Sequence, residues 1–314
     1  MKPRVPAFPT SLRAKLKRRH AALTLTAAAL LTGAAVNGWS WLPTGRVVVE
    51  RVERAAQELP VATIPPGRLL VVSPHPDDET LAAAGIIQAR HARGGEVYVV
   101  FLTSGDGFPW EVMTSRPRSL ARAEDYLRLG RVRMAEARRA TAILGVPRDH
   151  VFFLGFPDRG LTKIDTENYL APYRSPYTRV DRVPYDGVVE KDAPYTGRTL
   201  ARLLGRIMTD VSPDVVLAPS VRDGHPDHRA ASFLATRLAS ERGARLYYYV
   251  VHGGLEWPLP KGLHRDMPLT PPNAHQGGQR WHRFDLTESQ EDVKAEAVRA
   301  YPSQLRLLSR FMWA

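Results

Sequence analysis

Ser73-Pro74-His75-Pro76-Asp77-Asp78-Glu79-Thr80 follows the apolar run Leu69-Leu70-Val71-Val72 with no spacer. Four consecutive apolar residues without polar alternation read as a strand buried on both faces, which is how strands of parallel sheets look in sequence. A strand of that kind that stops on an imidazole, a proline and three acids has reached the carboxyl edge of its sheet. Open α/β sheets hold their ligands at that edge.

Outward from this stretch the pattern repeats. Further strands are expected near Val97 to Leu102, Val151 to Leu154, Val215 to Ala218 and Leu246 to Val251. Helices are expected at Thr80 to Arg93, Ser119 to Leu144, Thr199 to Val211 and Pro226 to Glu241, with Gly94, Gly145 and Gly243 standing where helix C-caps belong. Alternating strands and helices predict an α/β fold: a doubly wound, mostly parallel, Rossmann-like sheet with helices on both faces. Gly105 to Arg118 and Arg159 to Pro194 do not fit the alternation and read as long loops of the functional kind. Tyr169, Tyr173, Tyr177, Tyr185 and the neighbouring Tyr195 suit either stacking on sugar faces or packing that second loop on the body.

The first 20 residues carry +7 of the net charge of +12 and no acid. The remainder is only mildly basic, so no nucleic-acid partner is expected. Ala21 to Leu42 is 22 residues without a charge and ends in Trp39 and Trp41. A basic flank before such a run has the ingredients of a signal peptide or a signal-anchor helix, and Gly33-x-Ala35 would suit cleavage. Residues 1–42 are therefore read as an export segment, 43–67 as a linker and 68–314 as the catalytic domain. The expected location is membrane-anchored or exported, with the catalytic domain outside the cytoplasm and the membrane as a partner of the N-terminal segment.

There is no cysteine, so thiolate metal sites and cysteine nucleophiles are excluded and any metal must be held by His, Asp or Glu. His75 and Asp78 are three residues apart across a strand-to-helix turn and can converge on one ion, with Asp77 leaning over the same place. Asp77, Asp78 and Glu79 are also good residues for a helix N-terminus. The second cluster, Arg222-Asp223-Gly224-His225-Pro226-Asp227-His228-Arg229-Ala230, also ends a strand and opens a helix. One of its histidines would complete a His-Asp-His set with an open position, the arrangement of catalytic zinc.

These residues resemble the PIG-L/LmbE-type zinc-dependent N-acetylglucosaminyl deacetylase family. Pro74-His75-Pro76-Asp77-Asp78-Glu79 looks like its first motif and His225-Pro226-Asp227-His228 like its second. Arg133-Met134-Ala135-Glu136 resembles its Arg-x-x-Glu helix, and Leu154-Gly155-Phe156-Pro157-Asp158 its substrate-side loop. Lys294 and Tyr301-Pro302-Ser303-Gln304 look like a C-terminal segment of some members. The resemblance implies that His75, Asp78 and His228 bind zinc, that Asp77 is the general base and that His225 stabilises the oxyanion as an imidazolium. It also implies contacts from Arg133, Glu136 and Asp158 to an N-acetylated amino-sugar substrate, although an ordinary ion pair along one helix explains Arg133 and Glu136 equally well. The implied reaction is hydrolysis of an acetamide on an N-acetylglucosamine-containing glycan or glycolipid, by water activated at the metal. Fe2+ or cobalt suits the same nitrogen and oxygen donors. Glu79 either orients a ligand histidine or caps its helix. Among the remaining histidines only His252, just past a strand, merits attention.

Two other functions compete. A two-metal phosphoesterase would need ligands for a second ion, and few remain after three are assigned. A membrane-tethered, non-catalytic binder of acidic polymers would have no use for Asp77.

Overall fold

The computed structural model describes residues 52–115, 121–254, 257, 265, 267–272 and 280–306. The expected export segment and its cleavage site lie outside the described residues, among which no helix is long and apolar enough to cross a membrane. The chain divides into two compact units at Arg54–Ala55, and everything below concerns the second.

Five parallel strands make one sheet: β1 (Leu69–Ser73), β2 (Val97–Thr103), β3 (Val151–Phe156), β4 (Val215–Pro219) and β5 (Arg245–Tyr249), in the order β3-β2-β1-β4-β5. The helices that frame the sheet are α1 (Asp78–His91), α2 (Pro109–Ser115), α3 (Ala123–Ile143), α4 (Leu161–Asp165), α5 (Gly197–Val211), α6 (Pro226–Ser240) and α7 (Glu288–Arg299). The α/β, doubly wound class is thus the observed one, and every strand pair is parallel. β1 and β4 are buried at every residue, which accounts for their unbroken apolar sequence. Each fully buried Val or Leu contributes roughly 1.5–3 kcal/mol relative to an exposed one. β5 is one of the two edge strands, and its Arg245 and Tyr248 are exposed.

Strand order reverses between β1 and β4. Open α/β sheets bind ligands at the carboxyl ends of the strands at such a point, and both motifs of the sequence lie there. Gly94, Gly145 and Gly243 have φ of +70°, +85° and +69°, the left-handed geometry of a helix stop.

Three expectations need refinement. Gly105 to Arg118 is not all loop: α2 forms there, and its Val112 packs with Tyr126 and Leu129 of α3. The 159–194 segment is a long loop as expected, with only the short α4 inside it, but it is anchored on the body at buried points. Tyr185 and Tyr195 are fully buried, with their hydroxyls donating to Asp106 Oδ2 (2.6 Å) and the Gly155 carbonyl (3.2 Å). That is the packing role for these two tyrosines, whereas Tyr169 is partly exposed. The expected linker is partly tied to the domain: Val61 pairs with Arg283, and the Ala62 and Arg283 N–H groups donate to Arg283 and Pro60 carbonyls.

Candidate metal centre

β1 ends at Ser73, whose hydroxyl donates to the His75 carbonyl (2.9 Å) and begins the turn into α1. The His75 N–H donates to Asp78 Oδ2 (2.8 Å), closing that turn. Asp77 sits inside it at φ 128°, ψ −28°, a conformation that costs a non-glycine residue roughly 1–3 kcal/mol and persists only where its surroundings impose it. Such strain concentrates at functional sites.

Three donor atoms form a near-equilateral triangle. His75 Nδ1 lies 3.2 Å from His228 Nε2 and 3.4 Å from Asp78 Oδ2, and His228 Nε2 lies 3.2 Å from Asp78 Oδ2. Metal–donor bonds of about 2.0–2.1 Å in a tetrahedron put donors about 3.3–3.4 Å apart, so these atoms fit three corners around a zinc-sized ion. The charges agree. Asp77, Asp78, Glu79, Asp158, Asp223 and Asp227 are all buried around these strand ends, and against these carboxylates stands the Arg133 guanidinium. Burial opposes ionisation of Asp78, but His228 and then His75 hold its carboxyl well below the usual range, so it is the charged donor.

The outer partners of this triangle come from both motifs. Asp223 Oδ2 is 3.1 Å from His228 Nδ1, and the Asp223 carboxylate accepts the N–H groups of His225 (2.9 Å), Val251 (2.8 Å) and His252 (3.1 Å). A carboxylate on the far nitrogen of a histidine fixes the tautomer that presents the near one to a metal. His252 Nδ1 is 3.3 Å from Asp223 Oδ1, so His252 joins the cluster. On the other side, His75 Nε2 faces Asp158 Oδ1 (3.2 Å) and Asp227 Oδ2 (3.3 Å). Among the described residues three other three-residue groups could hold an ion: His75 with His225 and His228, Asp223 with His228 and His252, and His75 with Asp158 and Asp227. Asp223 is engaged by three main-chain N–H groups, and Asp227 accepts those of Arg159 (2.6 Å) and Leu161 (3.0 Å), so both carboxylates serve as orienting partners.

Asp77 is held on both sides. Its N–H donates to Glu79 Oε2 (3.1 Å), and its Oδ2 accepts from Arg133 Nη2 (2.9 Å). Arg133 is itself fixed by the carbonyls of Pro76 (2.5 Å) and Gly105 (3.2 Å). Burial raises the Asp77 carboxyl to about 7, against the pull of Arg133. Gly105 (φ +65°) and Gly107 are required here: a Cβ would meet the Arg133 guanidinium at one and the Asp158 carbonyl, 2.7 Å away, at the other.

His225 and Glu136 depart from expectation. His225 Nδ1 accepts the Asp227 N–H (3.2 Å) as the N-cap of α6, which leaves its proton on Nε2. Burial, and then the charge of His75, depress its pKa, so the ring is a neutral donor rather than the expected imidazolium. Glu136 is buried and both its oxygens accept from Ser303, so it is not placed for substrate and does not pair with Arg133. Glu79 orients no histidine; it accepts from Asp77, Thr80 (2.5 Å) and Tyr301 (2.6 Å). Asp158 is spent on His75 and on the Gly107 N–H (3.2 Å).

Fold and donor set together define a Rossmann-like α/β protein with a candidate His/Asp metal site at the switch point. A family model described as PIG-L, GlcNAc-PI de-N-acetylase, matches residues 70–239, and the chain belongs to that family. It is similar to two curated proteins named 1D-myo-inositol 2-acetamido-2-deoxy-alpha-D-glucopyranoside deacetylase. The one from Tsukamurella paurometabola is 34% identical over 182 residues, 56% of this chain and 56% of that protein. The one from Kribbella flavida is 32% identical over 206 residues, 64% and 62%. The chain thus spans less than two thirds of these relatives' length. Among solved structures, N,N'-diacetylchitobiose deacetylase from Pyrococcus horikoshii is 21% identical with a TM-score of 0.45, over 85% of this chain and 81% of that one.

Proposed function

We propose that the protein is a zinc-dependent N-deacetylase that removes acetyl from an N-acetylglucosamine-containing glycan or glycolipid, and that it works outside the cytoplasm. One observation carries the reading: the triangle of His75, Asp78 and His228 donor atoms, directly beside the strained and clamped Asp77. The names of the curated relatives, which are deacetylases of an acetamido sugar, support the substrate class. Export rests on the basic and uncharged residues 1–42.

An amide carbonyl is a poor electrophile. Zinc, when bound by His75, Asp78 and His228, supplies a Lewis acid that polarises the carbonyl and makes water acidic near neutral pH. Asp77 takes the proton from the attacking water and later returns it to the leaving amine, one carboxyl acting as base and then acid. Arg133 keeps the Asp77 carboxylate in one orientation through both transfers. His225 donates its Nε2–H to the oxygen that becomes negative, a contribution of about 3 kcal/mol. Its bond from Asp227 pins the tautomer that makes the donation possible.

The test is metal content and acetate release on the full chain and its Asp77→Asn variant, with N-acetylglucosamine oligosaccharides and glycolipids as substrates. The expected result is about one zinc in each and a drop in kcat of about 10²–10⁴-fold in the variant. Metal in both with no acetate from either would move the search to other amides or to phosphoesters. Two ions per chain would favour the phosphoesterase.

A further inference from the structure

Residues 301–304 lie beyond the family match, which ends at 239, yet they reach the centre of the site. The Tyr301 hydroxyl donates to Glu79 Oε1 at 2.6 Å, and the other oxygen of that carboxylate accepts the Asp77 N–H at 3.1 Å. Two residues on, the Ser303 N–H and hydroxyl donate to the two oxygens of Glu136 at 3.0 and 2.5 Å, and Gln304 Nε2 donates to the Ser303 hydroxyl at 3.1 Å. Glu136 is one turn from Arg133 on α3, and Arg133 holds the Asp77 carboxylate. Tyr301, Ser303, Glu79 and Glu136 are each buried to at least 95%.

We propose that Tyr301-Pro302-Ser303-Gln304 is a positioning clamp for Asp77, acting on its main chain through Glu79 and on its side chain by bracing, at Glu136, the turn of α3 that carries Arg133. The inference rests on the reading of Asp77 as the base.

Two physical facts carry it. A residue at φ 128° relaxes unless bonds on both sides hold it, and here one four-residue segment reaches the Asp77 main chain by bonds through Glu79 and braces, at Glu136, the helical turn whose Arg133 holds the Asp77 carboxylate. Second, burying an ionisable carboxyl is costly without partners, and Glu136 takes two bonds, and Glu79 one of its three, from this segment. If the segment served only to dock α7, apolar contacts would suffice. Instead it directs a tyrosine hydroxyl to Glu79, which holds the Asp77 N–H, and a main-chain N–H and a serine hydroxyl to Glu136, one turn from Arg133. Tyr301 and Ser303 are positioning residues, since neither touches the donor triangle.

The test compares Tyr301→Phe and Ser303→Ala with Gln88→Ala in the full chain. Gln88 Nε2 donates to the Gln290 carbonyl at 3.0 Å and joins α1 to α7 away from the two carboxylates, so it reports docking alone. For Tyr301→Phe, kcat is expected to fall about 10–100-fold with KM and zinc content unchanged, and Ser303→Ala is expected to behave similarly but more mildly. In an Asp77→Asn background, adding Tyr301→Phe is expected to change the residual rate less than twofold. Independently of activity, the Asp77 carboxyl signal in 13C NMR of zinc-loaded protein is expected to move in Tyr301→Phe and to stay put in Gln88→Ala.

An unmoved Asp77 signal in both clamp variants, or equal losses in Gln88→Ala at matched melting temperature, overturns the clamp. A protein that releases acetate from no substrate overturns the deacetylase reading instead, and the carboxyl signal still decides the clamp. Should Tyr301→Phe fail to fold, Ser303→Ala carries the same comparison.

Discussion

The two strand ends carry one layout, His-Pro-Asp-Asp at 75–78 and His-Pro-Asp-His at 225–228, and use its third position in opposite ways. Asp77 is held in a left-handed conformation with one carboxylate oxygen on Arg133. Asp227, the equivalent residue, is a helical N-terminal residue whose two oxygens are taken by the N–H groups of Arg159 and Leu161. The difference comes from the neighbours. The loop after β3 presents two unpaired N–H groups to the β4 end, and such donors capture a carboxylate; the β1 end meets a guanidinium and a strained turn. The first positions diverge too: His75 turns Nδ1 into the donor triangle, while His225 spends Nδ1 as a helix cap.

The largest effect expected from this contrast is kinetic. Asp227→Asn is expected to retain kcat within about tenfold, where Asp77→Asn loses 10²–10⁴-fold, and to pay mainly in stability, about 1–3 kcal/mol, because one buried N–H loses its charged acceptor. Paired acetate-release and urea-unfolding measurements check it. Equal kinetic losses would erase the distinction between the two aspartates.

Asp106, at the end of β2, sharpens the contrast from outside because its partners are Tyr185 and the Asp158 N–H, with no imidazole. Burial raises it from 3.8 to about 7, against the hydrogen bond from Tyr185. A carboxyl whose folded pKa is raised contributes stability that is complete below its unfolded value and lost as pH rises through the folded one. Unfolding free energy is therefore expected to decline between about pH 4 and 7, by up to roughly 4 kcal/mol from this group, and Asp106→Asn is expected to flatten that slope. Denaturant titrations at pH 4, 5.5 and 7.5 on both proteins decide it; an unchanged slope sinks the assignment.

The smallest expected effect is on metal affinity. Asp223→Asn keeps one oxygen for the main chain but loses the charge behind His228, and zinc affinity is expected to fall about 10–100-fold while Asp158→Asn, behind His75, costs no more. Competition with a chromophoric chelator measures both. An Asp223→Asn protein that holds zinc as tightly as the unmodified one would mean that His228 needs no orienting carboxylate.

Much of this was legible in the sequence. β1 and β4 were visible because strands buried on both faces must be continuously apolar, and both clusters were visible because imidazoles and carboxylates directly after such strands have no packing role. Asp223 stands within its cluster in the sequence, but its hub position is not legible there, since its partners at 251 and 252 are reached only when β5 lies beside β4. Glu136 looked like half of a helix-face pair with Arg133, because spacing shows who can meet along one helix and not what packs against it. The neutral state of His225 depends on a cap bond that local sequence permits but does not require.

Glu79 and Tyr301 are 222 residues apart in the chain. A ribosome makes the chain from its N-terminus at roughly 5–20 residues per second, so the Glu79 carboxylate waits on the order of ten seconds or more for its tyrosine partner. Even once residue 249 has completed the sheet, a carboxylate destined for complete burial has one hydroxyl too few. The last step in building this site is thus a matter of timing as well as geometry, and the cell receives a finished base only after residue 301 has been made.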